Sequence, residues 1–222
     1  MAFEKYNVGE SSAFYGVCFT MGDIMTSSNK TRMYSAAISK FKKGLKEGFY
    51  FECILLDYSL LEDCFTDFFV QLDFASKDNE DTGKAKFNRF RKSDLMSLGM
   101  EEKECSLHTF AKKAKIVKTI IESINKPEKI SSVNMQAVAN VLKRNHISKL
   151  LTNSFFKEAD QWRENRNKII HDLLNLDCDI FNSLKLFAEK GFELFRVLDK
   201  CNSKIKGKVR PEIDKLKKKQ RQ

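Results

Sequence analysis

The chain has 222 residues, of which 42% are hydrophobic and 32% charged, so it is long enough to bury a core and too polar to be mainly membrane-embedded. Glycine (9) and proline (2) are scarce whereas phenylalanine (19) is abundant, which disfavours a turn-rich sandwich or barrel and favours long helices. The net charge of +10 is unevenly spread, since residues before 204 carry only three of the ten surplus positive charges.

The first half of the sequence predicts two consecutive core helices. Residues 1–32 give weak signals and predict no definite structure. From residue 33 to residue 74 apolar residues recur at spacings of three and four, with Gly44 and Gly48 marking the join between the helices. The second helix carries the stripe Phe51, Ile54, Leu55, Tyr58, Leu61, Phe65, Phe68, Phe69 and Leu72. Residues 76–104 are polar and predict a surface excursion with one short basic helical turn.

Helical spacing resumes at residue 107 and continues almost to the end of the chain. A helix over 107–124 is stopped by Pro127, and the next is capped by Ser131 or Ser132. Residues 148–174 predict one helix, or two with a break near 152–154, and residues 179–201 predict a strongly amphipathic last helix. We therefore expect an all-α bundle of four to five main helices, with domain bounds at 33–202 and a basic tail at 203–222.

The predicted tail contains most of the surplus positive charge. From residue 204 onwards it has nine Lys or Arg against Glu212 and Asp214. Such a segment suits nucleic acid, although a solvated and poorly ordered terminus gives the same composition.

The chain offers no sign of a membrane span, a secretory signal or a metal site. No stretch approaches the roughly 20 apolar residues of a span, and MAFEKYNVGE lacks the layout of a signal peptide. The six cysteines form no C-x-x-C pair, and no histidine lies at metal-ligand spacing from them. They are interpreted as reduced, mostly buried thiols of a cytoplasmic protein.

The stretch RENRNKIIHD at residues 163–172 contains the most informative side chains. Its helix has the apolar stripe Phe155, Ala159, Trp162, Ile169, Ile170 and Leu173, and Arg166 falls in the middle of that stripe. An arginine there must either extend to the edge of the core or meet an anion. His171 shares a face with Asn167, four residues earlier.

The spacing Arg166-Asn167-x-x-x-His171 resembles the defining motif of the HEPN superfamily, in which an arginine and a following polar residue precede a histidine. The motif lies late in a helical domain, before a last long helix, as in that family. The segment ILLDYSLLEDCF resembles the acidic second helix of the group, and we expect its Glu62 to pair with Arg166. The size resembles stand-alone abortive-infection or toxin-type members, which are bacterial cytoplasmic ribonucleases of antiphage defence.

The resemblance implies a metal-independent endoribonuclease that uses no cofactor. The RNA 2′-hydroxyl would attack the adjacent phosphorus and leave a 2′,3′-cyclic phosphate and a 5′-hydroxyl. The imidazole of His171 would transfer protons, Arg166 would stabilise charge on the phosphoryl oxygens, and Asn167 would orient His171 or donate to phosphate. Because one motif supplies one imidazole, the resemblance implies a homodimer with the site between protomers.

Several further side chains are candidates for RNA binding. Cations near the motif and in the tail would attract the phosphates: Lys168, Arg163, Lys217, Lys218 and Lys219. Phe87, Phe90 and Trp162 could stack on bases, although Trp162 fits the core better. An antitoxin protein or regulatory RNA is a further possible partner. The alternatives are a non-catalytic HEPN-like module that binds RNA or protein, and an accidental motif in a helical scaffold.

Overall fold

Two parallel helices, α2 (Tyr50–Gln71) and α7 (Ile180–Lys204), form the centre of the fold. The computed structural model describes residues 27–76, 86–87, 89–171 and 180–219. Gly191 lies against Asp57, and the Asn202 amide donates to the carbonyl of Cys64 over 2.7 Å, so the two helices run in the same direction. Apolar residues of α2 at spacings of three and four are almost completely buried along this contact.

Helices α1 (Ser27–Glu47) and α6 (Asn153–His171) cover two sides of α7. On α1, Phe41 stacks on Phe192 with ring centroids 4.3 Å apart, and Tyr34 meets the edge of Phe195. On α6, the Trp162 indole donates to the carbonyl of Phe187 over 3.0 Å. Both helices run antiparallel to α7.

The remaining elements close the other side of α2. The chain leaves α2 through β1 (Ala75–Ser76), which pairs antiparallel with β2 (Lys86–Phe87). Helices α3 (Arg89–Met96), α4 (Phe110–Ser123) and α5 (Val133–Arg144) follow. Ser132 caps α5 by accepting from the Met135 N–H, which confirms one of the two predicted caps.

The last helix continues past the predicted domain boundary at residue 202. A π-helical turn, Ile205–Val209, joins α7 to α8 (Arg210–Lys219). Pro211 cannot donate to the carbonyl of Gly207, and a wider turn relieves the crowding between them. Ile205, Val209 and Ile213 are buried, so most of the predicted basic tail belongs to the folded domain.

Helix α8 is attached to two other helices by polar contacts. Arg210 donates to the carbonyls of Val70 and Gln71 at the C-terminal end of α2, where unpaired carbonyls favour a cation. Glu212 accepts from Arg144 and Asn145 at the end of α5. These contacts dock α8 on the rest of the domain, despite the many charges in its sequence.

The all-α prediction is confirmed, since helices form nearly all the regular structure of the described residues. Six of those helices have twelve residues or more, compared with the four to five that the sequence predicts. The predicted break near 152–154 is also confirmed, because a 3₁₀ turn at Ile147–Lys149 precedes α6. Residues 76–104, predicted to be a surface excursion, contribute in part to the core, because Asp94, Leu95 and Met100 are buried.

Candidate active site

Helix α6 is fixed to the core by Trp162. The indole is 2% exposed, stacks on Phe187 with ring centroids 5.2 Å apart, and makes the hydrogen bond to the Phe187 carbonyl. Trp162 is therefore a core residue, as the sequence favours, and does not offer a free face to a base. One helical turn later, Arg166 leaves the same face of α6.

The guanidinium of Arg166 lies over the ring of Tyr58 on α2. Its Cζ is 4.2 Å from the ring centroid, a cation–π distance. Its Nη1 donates to the Oδ1 of Asn167 over 3.2 Å, whereas its Nε is buried and has no hydrogen-bond partner. Stacking on an aromatic ring thus accommodates Arg166 at this partly buried position. The N–H of its Nε remains without a hydrogen-bond acceptor.

Glu62 does not form the ion pair with Arg166 that the sequence predicts. Its Oε1 accepts from the Lys113 amine over 2.9 Å, and Lys113 is buried on α4. The error has a physical reason: Glu62 lies on the side of α2 that faces α4. Lys113, at the spacing of the buried Phe110 and Val117, was the missed partner.

The charges of Glu62 and Arg166 both act on the phenol of Tyr58. Burial raises the pKa of its phenol and the nearby Glu62 carboxylate adds to that rise, whereas Arg166 and Arg163 oppose it. Because the net pKa is above the ordinary value, the phenol stays neutral around pH 7 and supports Arg166 with its ring rather than with a charge.

His171 is exposed at the C-terminal end of α6. It lies five residues after Arg166, which corresponds to about 140° around the helix and about 7.5 Å along it. No hydrogen bond joins the two side chains among the residues that the structure describes. Asn167 lies on the same face as His171 and is bonded to Arg166, so it is the link between them within one chain.

The predicted RNA-binding cations have different surroundings. Arg163 is held by Asp160, at 2.8 Å, and by Glu164, at 3.3 Å, which leaves it less available to phosphate. Lys168 and Lys218 are exposed. The side chains of Lys217, Lys219, Phe87 and Phe90 lie outside what the structure describes, and so do residues 1–26.

Asp57, which the sequence argument did not single out, is the most unusual titratable group near the site. It is 0% exposed, and neither carboxyl oxygen has a hydrogen-bond partner. Burial raises the pKa of this carboxyl from 3.8 to about 9, so it is protonated at neutral pH. Its position four after Cys53 and four before Leu61, both buried, is the signal that could have revealed it.

Four of the predicted buried thiols are confirmed. Cys53, Cys64, Cys105 and Cys201 are free and buried, whereas Cys18 and Cys178 lie outside the described residues. Within the described ranges, three or more His, Cys, Asp or Glu side chains nowhere converge in a metal-binding arrangement. No described helix combines the length and apolarity that crossing a membrane requires.

Comparison with protein-family models, with curated proteins and with solved structures gave no match.

Proposed function

We propose that this protein is a metal-independent endoribonuclease of the HEPN type, acting in the bacterial cytoplasm as an abortive-infection or toxin effector. The observation that carries the proposal is the arrangement of Arg166, Asn167 and His171 on one helix. Arg166 is held over Tyr58 with donors unused, and His171 is accessible to solvent one turn beyond Asn167. These are the residue types that phosphodiester cleavage by an internal hydroxyl requires.

Each residue has a defined part in the proposed reaction. A neutral imidazole of His171 accepts the proton of the RNA 2′-hydroxyl while that oxygen bonds to phosphorus. The bond from phosphorus to the 5′-oxygen breaks, and this oxygen takes a proton from a second imidazole. The fork of Arg166 stabilises the charge that builds on the non-bridging oxygens, and Asn167 keeps the fork oriented.

The second imidazole would come from a second copy of the chain. The motif of one chain holds a single histidine, His171, whereas the proposed reaction uses two imidazoles. Leu55 lies three residues before Tyr58 on α2 and is 36% exposed, although the sequence places it in the core stripe. We place the contact between protomers on this apolar surface next to Arg166 and Tyr58.

The test of the reaction is the chemistry of the product ends. The purified chain is incubated with single-stranded RNA in excess chelator, and we expect fragments with 2′,3′-cyclic phosphate and 5′-hydroxyl ends. His171→Ala should abolish cleavage, whereas His108→Ala and His146→Ala, at exposed positions outside the motif, should retain it.

A non-catalytic HEPN-like module that binds RNA or protein is the second candidate function. The separation of Arg166 from His171 within one chain favours it. RNA binding without cleavage by the unaltered chain, unchanged by His171→Ala, would replace the enzyme proposal with this one. A toxin-type effector also needs an antitoxin protein or a regulatory RNA that restrains it. Co-expression of such a partner should suppress the toxicity of the wild-type chain.

A further inference from the structure

An open cavity of about 550 Å³ lies between α1 and α7, away from the motif. Helix α7 turns Phe187 and Gly191 toward Trp162 of α6, but Phe192 and Phe195 toward Phe41 and Tyr34 of α1. The cavity, which we call the α1–α7 groove, therefore lies on a different side of α7 from Arg166. Nothing in the proposed reaction uses it.

Three cations line the groove. Lys42 on α1 and Arg196 and Lys200 on α7 are exposed, and none forms an ion pair with any residue that the structure describes. Lys190, on the same helix, differs from them because it pairs with Glu158 at 2.6 Å and with Glu193 at 3.6 Å. Three uncommitted positive charges around one cavity attract an anion with more than one charge.

One carboxyl group, Asp199, also lines the groove. Burial raises its pKa, the nearby Asp67 adds to that rise, and Lys30 opposes it. With Asp199 ionised, the three cations still leave a surplus of two positive charges. The ionised Asp199 side chain therefore places a negative charge in the groove, and a substitution can remove that charge.

The floor of the groove is apolar and partly aromatic. Phe192 is half-buried and rests on Phe41, which fixes the plane of its ring. Ile38 and Val197 are also half-buried and complete the floor. A lining that combines apolar and aromatic side chains with three cations matches the two parts of a nucleotide, a base with a stackable face and a charged phosphate.

We infer that the α1–α7 groove binds one or more nucleotides of single-stranded RNA, with a base against Phe192 and phosphates on Lys42, Arg196 and Lys200. The inference rests on the proposed function in that RNA is the substrate. It adds a second contact region that holds the strand at a distance from the motif. A lipid headgroup surface is disfavoured because the cations surround a recess between two helices that also contains Asp199.

Binding is measured separately from cleavage, so that the two can fail independently. The probe is a labelled 2′-O-methyl RNA, which lacks the attacking hydroxyl, and the protein carries His171→Ala. Fluorescence anisotropy gives Kd at several salt concentrations. In this background the three groove cations are changed to Gln (K42Q, R196Q, K200Q), and a control removes three exposed charges elsewhere (K112Q, K126Q, K143Q).

The groove variant should bind roughly tenfold or more weakly, and its slope of log K against log salt should fall by about 2, since single strands lose about 0.7 per neutralised phosphate. The control should stay close to the parent chain. Thermal melts of all variants show whether each is folded. A folded groove variant that binds RNA like the control overturns the inference.

Two single substitutions in the groove should change its affinity for RNA in opposite directions. Asp199→Asn should tighten RNA binding by a few-fold because it removes the negative charge. Phe192→Leu should weaken binding by about fivefold or more because it removes a stacking face while keeping an apolar side chain. Asp199→Asn leaving Kd unchanged, or Phe192→Leu binding like the parent, would count against the groove.

A third experiment distinguishes RNA binding from membrane binding, and RNA binding from the proposed cleavage reaction. If the groove variant loses binding to phosphatidylserine vesicles but keeps RNA binding, the inference is wrong. If unmodified RNA is not cleaved by the wild-type chain but the groove variant still loses binding to the 2′-O-methyl RNA, the groove stands and the ribonuclease proposal fails.

Discussion

Arg166 shows how a single charged residue in an apolar stripe is accommodated. Its guanidinium stacks on Tyr58. Among the residues that the structure describes, no acid forms an ion pair with Arg166, and Glu62 is paired with Lys113 instead. An arginine in this state keeps its charge available to an incoming phosphate.

Replacing Arg166 by Lys should separate the charge from the geometry. Lysine keeps the positive charge but loses the planar fork, so we expect the rate of RNA cleavage to fall by about 100-fold or more. The free energy of unfolding should change by only about 1 kcal/mol, the scale of one cation–π contact. Cleavage assays and urea titrations measure both, with Arg144→Lys, which alters an exposed pair with Glu212, as the matched control. Full activity in Arg166→Lys would remove the fork from the mechanism.

Asp57 makes the stability of the fold depend on pH in the direction opposite to that of most acids. Its pKa is about 9 in the folded chain and near 3.8 when unfolded, so the folded state holds a proton that the unfolded state releases. The resulting stabilisation is fully present below pH 4 and is lost as pH rises through 9.

Asp57→Asn should remove this dependence. The stability of the wild type relative to the variant should fall between pH 5 and pH 8, by up to about 1.4 kcal/mol per pH unit. Urea denaturation at several pH values gives the difference directly, and groups common to both chains, such as Asp199, cancel. A difference that stays constant over this range would show that Asp57 is ionised in the folded protein.

At the scale of whole elements, periodicity located the helices well and their partners poorly. The long helices, the break before α6 and the Ser132 cap follow from spacing and capping chemistry, which are local. The Glu62–Lys113 pair and the burial of Asp57 depend on which helix faces which, and local spacing does not contain that information. Charge dominates the composition of residues 203–222, whereas the buried Ile205, Val209 and Ile213 determine where α8 packs.

Helices α2, α6 and α7 meet at Gly191. A Cβ added there would lie 2.6 Å from the Trp162 ring and 2.9 Å from an Asp57 oxygen, both of which are packed in place. We therefore expect Gly191→Ala to lower the free energy of unfolding by about 1–3 kcal/mol through overpacking.

Gly207→Ala is the matched control for Gly191→Ala, because a Cβ at Gly207 would meet nothing within 4 Å. It should be neutral or slightly stabilising, since alanine restricts the unfolded chain. Chemical denaturation of both variants measures the contrast, and equal effects would mean that α2, α6 and α7 are not in close contact at Gly191.

At the scale of the whole molecule, the question is whether two copies complete one site. The exposed Leu55 lies one helical turn from Tyr58, which carries Arg166, whereas Ile54, Leu61, Phe65 and the later members of the same stripe are buried. The sequence predicts a dimer from the resemblance alone. The surface that joins the copies could not be predicted because it depends on which part of the stripe remains uncovered.

Leu55→Glu should convert a dimer to a monomer and remove cleavage together with it. A buried, unpaired carboxylate at a contact between copies costs several kcal/mol, enough to dissociate a moderately tight dimer. Light scattering reports the mass and the cleavage assay reports activity. Val133→Glu, at an apolar residue that is 71% exposed on α5, is the control and should change neither. An active monomeric Leu55→Glu would place the whole reaction within one chain.

The π turn between α7 and α8 sets the angular phase of everything after it. Such a turn fits five residues into nearly the rotation of four α-helical ones, so α-helical winding of the same five residues would rotate α8 by about 100°. Arg210 would then swing away from the carbonyls of Val70 and Gln71, and Glu212 away from Arg144. The width of this one turn therefore orients α8 so that its polar side chains reach the ends of α2 and α5.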